Sequence, residues 1–155
     1  MSRTYKKSWV LCLSGANNSL RRVDDALATS RTDSLVIQPL IEAMWWVCVT
    51  DESLMAEYPS QWKENLRPGL PEMSVIRGLR WVRNRATHQI TQWEIARPPF
   101  HWSDAHSIAP LGTVKSHQDH GRSEYIAELQ GNDARDAIRV VIAAIKREAI
   151  GKLPP

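Results

Sequence analysis

With 155 residues, the chain is long enough to bury a hydrophobic core as one domain without disulfide or metal support. Its composition, 43% apolar and 24% charged, is typical of a globular protein and indicates neither a disordered nor a membrane-spanning class. A net charge of +3 is compatible with an acidic partner such as RNA but does not require one.

The N-terminal third of the sequence contains both cysteines. Cys12 and Cys48 form no CxxC pair and lie in apolar runs, so we expect reduced thiols in the interior. The apolar run at residues 9–13 is too short for the core of a signal peptide, and we expect no membrane span. These features predict a cytoplasmic protein.

The first predicted helix follows an ambiguous start. Residues 9–13 fit either a buried strand or part of a helix, because five apolar residues do not define a period. Residues 15–19 are rich in glycine, asparagine and serine, which predicts a break with capping side chains. Leu20, Val23 and Leu27 then recur at helical spacing, which predicts an amphipathic helix to about residue 30.

A central apolar helix is predicted next. Residues 32–34 offer an N-cap, and residues 35–49 are nearly all apolar. Pro39 predicts either a kink or a start only a few residues before it. Trp45 and Trp46 are expected to cover different sides of this helix, one of them in the core and one facing a neighbour.

The next segment leads into the helix that contains the candidate site. Residues 50–66 predict one or two short helices interrupted at Pro59, and residues 67–71 a loop. Residues 71–90 then predict an amphipathic helix. Its apolar stripe consists of Val75, Leu79, Val82, Ala86 and Ile90.

A second flank of this helix is polar. It carries Arg77, Arg80, Trp81, Asn84 and His88 at helical spacing, while Arg83 lies between the two faces. Five residues on an ideal helix correspond to a rotation of about 140° and a rise of about 7.5 Å. One helix therefore cannot bring Arg83 and His88 to one small group, whereas two copies across a two-fold axis would form a composite cleft.

The last third of the chain predicts an insertion followed by a helix. Prolines and glycines make residues 91–131 irregular or short-stranded, with residues 123–129 read as a strand or a docking segment. Residues 132–133 cap the last helix. The apolar stripe of that helix is Ala134, Ile138, Val141, Ile142 and Ile145.

No metal or cofactor is expected. The insertion contains imidazole and carboxylate donors, but their spacing matches no metal-ligand pattern. These donors are His101, Asp104, His106, His117, Asp119 and His120. The sequence also lacks a Walker loop, a GxGxxG motif and a GxSxG motif, so nucleotide-loop and serine-hydrolase classes have no support.

The segment RNRATH at residues 83–88 resembles the R-x4-6-H signature of HEPN domains. From about residue 35 to 145 the chain is also similar to small uncharacterised actinobacterial HEPN-like proteins, in GLRWVRNRATHQ and a later W…PLG…YIAELQG…DAI pattern. The resemblance implies a mostly all-α bundle of four to five helices. It also implies one domain over residues 1–155, with the insertion at about 91–131 between the last two helices.

The resemblance implies metal-independent cleavage of RNA in a dimer groove, which leaves a 2′,3′-cyclic phosphate. In this interpretation His88 is the general acid or base, and Arg83 clamps the phosphate. Asn84 orients the imidazole or binds the RNA backbone. The residues expected to extend the RNA-binding groove are Arg77, Arg80, Trp81 and Arg85. For the arginines, solvated surface charge is an equal alternative, and Trp81 fits either base stacking or an interface core.

The predicted partners are RNA and a second copy of the chain, with an antitoxin or a nucleotidyltransferase as a further candidate. A toxin or a phage-defence effector is the corresponding biological role. The alternatives are a non-catalytic HEPN-like module that binds RNA or protein, and a purely structural subunit. Exposure of the flank that carries Arg83 and His88 distinguishes these hypotheses.

Overall fold

A computed structural model describes residues 8–29, 33–86 and 120–154, apart from the side chains of residues 33, 34, 85 and 86. Within these ranges the regular structure is helical, which confirms the all-α prediction. The elements are α1 (Ser8–Ala28), α2 (Asp33–Glu57), a π-helix (Pro59–Leu66), a 3₁₀ turn (Arg67–Gly69), α3 (Met73–Ala86), the single turn α4 (Arg122–Glu124), a second π-helix (Tyr125–Leu129) and α5 (Ala134–Ala149).

The chain divides into two compact units. The first comprises Met1–Pro68 and Ile145–Pro155, and the second comprises Gly69–Ala144. The organisation as one domain over residues 1–155 stays a prediction.

In the first unit, α1 and α2 form an antiparallel hairpin. At one end the hydroxyl of Ser8 donates to the carboxylate of Glu57. Farther along the pair, Ser19 Oγ lies 3.4 Å from Glu42 Oε2, and Arg22 Nη1 lies 2.6 Å from the same oxygen. The N-terminus of α1 therefore lies beside the C-terminus of α2. Burial of the facing apolar side chains is the main term that holds such a pair together.

Helix α1 is continuous, so the predicted break at residues 15–19 is wrong. Gly15 serves close packing instead, because an added Cβ would lie only 3.0 Å from the ring of Trp46. Asn17 Nδ2 donates to the carbonyl of Leu13 at 2.8 Å, a local bond that the helix accommodates. Residues 9–13 belong to the same helix, which excludes the strand alternative.

Helix α2 is longer than predicted. It begins at Asp33, so Pro39 stands in its second turn, and it continues to Glu57, where short separate helices were expected. The interruption at Pro59 is confirmed, since α2 ends before it. Trp45 and Trp46 are 41% and 38% exposed, so the expectation that one of them belongs to the core is wrong.

A buried carboxylate joins α2 to the turns that follow it. Asp51 has no exposed surface, and its Oδ1 accepts hydrogen bonds from Trp62 Nε1 at 2.9 Å and Arg67 Nε at 3.0 Å. The guanidinium compensates the charge of the carboxylate, which is costly to bury alone. Trp62 is itself fully buried. Asp51 thus fixes both the π-helix and the 3₁₀ turn.

The second unit contains α3, the segment 120–133 and the first part of α5. Leu79 and Val82 are fully buried, as the predicted stripe of α3 requires. Val75 is only half-buried, and the neighbouring Ile76 is buried instead. The stripe of the last helix is confirmed, since its five predicted apolar residues are all buried.

The N-terminus of α5 is capped as predicted. Asp133 Oδ1 accepts the backbone N–H of Arg135 at 2.8 Å, and the Arg135 guanidinium donates to Asp133 Oδ2 at 2.8 Å. Residues 123–129 form helical turns, which excludes the strand alternative for this segment. The end of the predicted helix at residues 87–90 and the insertion up to residue 119 lie outside the described residues.

Candidate functional site

The candidate site is built on α3, whose sequence concentrates positive charge. Residues 71–86 contain four arginines and one glutamate. Burial of Leu79 and Val82 orients the helix, because side chains three or four residues apart share one face. The angular position of each arginine around the helix, relative to these buried residues, then determines how far it is exposed to solvent. Arg77 is exposed, whereas Arg80 and Arg83 are half-buried.

Arg83 and Asn84, the first two predicted catalytic residues, contact each other. Arg83 Nε and Nη2 donate to Asn84 Oδ1 at 3.3 and 3.1 Å. An amide whose oxygen faces a cation directs its N–H groups elsewhere, so the pair combines a guanidinium and an amide donor. Two donors of this kind suit a phosphate or carboxylate group. Asn84 is exposed, so an anion in solvent can approach the pair.

His88, the third predicted catalytic residue, lies outside the described residues. The distance between His88 and Arg83 is therefore not described. Asn84 was expected to orient His88 or to bind the RNA backbone, and its described partner is the Arg83 guanidinium.

Trp81 is a packing residue in the second unit. The side chain is 2% exposed, and its ring lies 4.9 Å from the ring of Tyr125 with an interplanar angle of 39°. Aromatic pairs in tilted geometry at this distance are favourable. Stacking on a nucleobase requires an open ring face, so this burial is incompatible with the base-stacking alternative for Trp81.

Arg77 is exposed and forms an ion pair. Its Nη1 lies 3.6 Å from Glu124 Oε1, with side-chain exposures of 59% and 24%. Ser123 Oγ donates to Glu124 Oε2 at 2.8 Å. The Ser123 hydrogen bond, and more weakly the charge of Arg77, lower the pKa of Glu124. Glu124 is therefore ionised at neutral pH.

The segment at residues 121–129, which we call the return segment, covers part of the predicted RNA-binding flank. Gly121 adopts φ = +94°, and an added Cβ there would lie 2.4 Å from the Arg77 carbonyl oxygen. At Gly78 an added Cβ would lie 3.1 Å from Tyr125 Cα and 3.0 Å from Leu129 Cδ1. The two glycines thus permit a close approach of backbone to helix.

Sequence reasoning missed three residues of this region: Gly121, Glu124 and Tyr125. The docking-segment alternative for residues 123–129 was the available signal, but nothing in the local pattern identified α3 as the docking partner. Of the other predicted RNA-binding residues, Arg80 has buried Nε and Nη2 atoms, and the side chain of Arg85 lies outside the described residues.

In the described ranges, no cluster of three or more His, Cys, Asp or Glu side chains is arranged to hold a metal ion. No helix there combines the length and hydrophobicity needed to cross a bilayer. Cys12 and Cys48 are buried and are not joined in a disulfide bond. Comparison with protein-family models, curated proteins and solved structures gave no match.

Proposed function

We propose that this protein is a metal-independent endoribonuclease of the HEPN type, which acts in a groove between two copies of the chain. The observation that carries the proposal is the contact on α3 of the half-buried Arg83 with the exposed Asn84, within the RNRATH motif. A guanidinium beside an amide donor is suited to hold a phosphodiester and to stabilise the charge that develops on it.

In the proposed reaction the 2′-hydroxyl oxygen attacks the adjacent phosphorus, and the bond from phosphorus to the 5′-oxygen breaks. The products are a 2′,3′-cyclic phosphate and a 5′-hydroxyl. His88 accepts the 2′-hydroxyl proton or protonates the leaving oxygen, since an imidazole with an ordinary pKa of about 6.5 does either near neutral pH. Two copies of His88 divide these tasks. Arg83 binds the phosphate, and no step uses a metal ion.

A non-catalytic HEPN-like module that binds RNA or a partner protein is the second candidate. The return segment favours the protein-binding form of this module, because Glu124 pairs with Arg77 and so reduces the basic surface open to RNA. A cytoplasmic location, a homodimer, and an antitoxin or nucleotidyltransferase partner stay predictions.

The first experiment measures cleavage of 5′-labelled single-stranded RNA in EDTA. The parent protein should cleave it and leave a 2′,3′-cyclic phosphate. Arg83→Ala and His88→Ala should each lower the rate by about 10²–10⁴, the usual cost of losing a charge-stabilising donor or a general acid or base. Arg21→Ala is the matched control, since Arg21 is an exposed arginine on α1. Loss of activity in EDTA with rescue by metal would contradict the mechanism.

The second experiment tests the composite groove. Light scattering at micromolar concentration should give the mass of a dimer, and a monomer would contradict the groove. Mixed dimers of Arg83→Ala with His88→Ala subunits retain one intact copy of each side chain in the pair. Partial recovery of cleavage is expected if both copies contribute to one groove. Equal cleavage by all variants and the parent would refute the catalytic roles.

A further inference from the structure

The return segment sits at a defined position on α3. Gly121 lies against the Arg77 carbonyl, and the Tyr125 ring packs on the buried Trp81. The backbone of Tyr125 also approaches Gly78 closely, at a distance that leaves no room for a larger side chain without a shift. Glu124 stands between the Gly121 and Tyr125 contacts. Its carboxylate is therefore held beside α3 by packing on both sides rather than by its own charge.

The two oxygens of the Glu124 carboxylate have different partners. Oε1 lies 3.6 Å from Arg77 Nη1, while Oε2 accepts the Ser123 hydroxyl at 2.8 Å. The serine hydrogen bond orients the carboxylate with its other oxygen toward the arginine. Arg77 is 59% exposed, so an RNA phosphate that approaches the guanidinium meets a fixed anion. Like charges a few ångströms apart repel each other even in water.

We infer that Glu124 is an affinity-limiting residue: it competes with RNA phosphate for Arg77 and so restricts RNA binding to the Arg83 and Asn84 end of α3. This inference rests on the proposed function, since it presupposes that α3 binds RNA. A phosphate must displace Glu124 to use Arg77, and that displacement consumes part of the binding energy. The flank expected to extend the groove therefore contributes little while the ion pair is intact.

The experiment measures binding of a fluorescein-labelled single-stranded RNA to the 155-residue chain by anisotropy over a range of NaCl concentrations. Glu124→Gln removes the charge and keeps the shape. It should tighten binding about threefold to tenfold at low salt, and it should steepen the slope of log affinity against log salt by up to about one, because one more phosphate contact forms. A purely structural role of Glu124 would not change this slope.

Two further variants make the test specific. Asp136→Asn is the matched control, because Asp136 forms a surface ion pair with Arg139 at 3.5 Å and the substitution changes net charge equally. It should change affinity less than twofold. In an Arg77→Ala background, Glu124→Gln should no longer tighten binding, since the arginine that it releases is absent.

The possible failures are distinguishable. Equal affinities of the parent and Glu124→Gln, with the parent binding RNA, would overturn the role of Glu124 and leave the proposed function standing. A gain of the same size from Asp136→Asn, or in the Arg77→Ala background, would also overturn it, because net charge alone would then explain the effect. RNA binding by none of the variants would overturn both the inference and the proposed function.

Discussion

Gly121 gives the sharpest test of how the return segment is placed on α3. In Gly121→Ala the new side chain must adopt a left-handed backbone conformation, which costs an L-residue about 1–2 kcal/mol. Its Cβ would also lie 2.4 Å from the Arg77 carbonyl oxygen and 3.1 Å from Trp81 Cβ. A helix carbonyl cannot move away cheaply, and overpacking of this kind costs about 1–3 kcal/mol more.

The chain provides a matched control for each part of this cost. Gly131 has φ = +77° with nothing within 4 Å of an added Cβ, so Gly131→Ala should show the backbone cost alone, about 1–2 kcal/mol. Gly69 has open space around it, and its φ lies outside the left-handed range, so Gly69→Ala should be neutral or slightly stabilising. All three glycines belong to the same unit.

The assay is thermal unfolding followed by far-ultraviolet circular dichroism. For a chain of this size each kcal/mol corresponds to about 2–4 °C, so the total of about 2–5 kcal/mol for Gly121→Ala should lower the midpoint by roughly 4–20 °C. Gly131→Ala should lower it by roughly 2–8 °C, and Gly69→Ala should leave it nearly unchanged. A Gly121→Ala protein that melts no lower than Gly131→Ala would refute the close contact between the return segment and α3.

Two further predictions concern stability. Arg67→Met should lower the free energy of unfolding, measured by urea titration, by roughly 2–4 kcal/mol, because it leaves the buried Asp51 carboxylate without its guanidinium. As a control, Arg22→Met at an exposed ion pair should lower it by about 1 kcal/mol or less. Equal losses of stability in the two variants would contradict the role given to the buried pair. Asp133→Asn keeps a capping side chain but loses the charge that Arg135 stabilises. Arg135 lowers the folded pKa of Asp133, so the stabilisation is fully present above the ordinary carboxyl pKa of about 3.9 and is lost as pH falls through the folded value. The difference in midpoint between the parent and Asp133→Asn should therefore be largest near neutral pH and shrink in acid, and a constant difference down to pH about 2 would contradict it.

Elements whose signals are local followed from the sequence. The apolar period of the last helix and the burial of Leu79 and Val82 on α3 were predictable. Side chains three or four residues apart lie on the same face of an α-helix, whatever that face packs against. The Asp133 cap and the interruption at Pro59 were predictable for a similar reason. The Asp133 carboxylate accepts a backbone N–H at the start of α5, and Pro59 has no N–H to donate. Both effects depend on only a few consecutive residues.

Gly15 marks the limit of that local reasoning. The same glycine that predicts a break in isolation is accommodated inside α1, where it leaves space for the ring of Trp46 on the opposite helix. Helix propensity is a weak preference of about 1 kcal/mol at a glycine, and the packing of two long helices outweighs it. Whether Gly15 interrupts the helix or serves as a packing contact therefore depends on α2, the helix that packs against it.

The candidate site also contains some features that were predictable from the sequence and others that were not. Placement of Arg83 and Asn84 on one helix, within the resemblance to the R-x4-6-H motif, was evident from the sequence. The burial of Trp81 and the ion pair of Arg77 with Glu124 were not, since both depend on contacts with residues 44 and 47 positions later in the chain. Sequence spacing determines which residues share one face of a helix. Whether another segment packs on that face depends on long-range contacts, which only the tertiary structure determines.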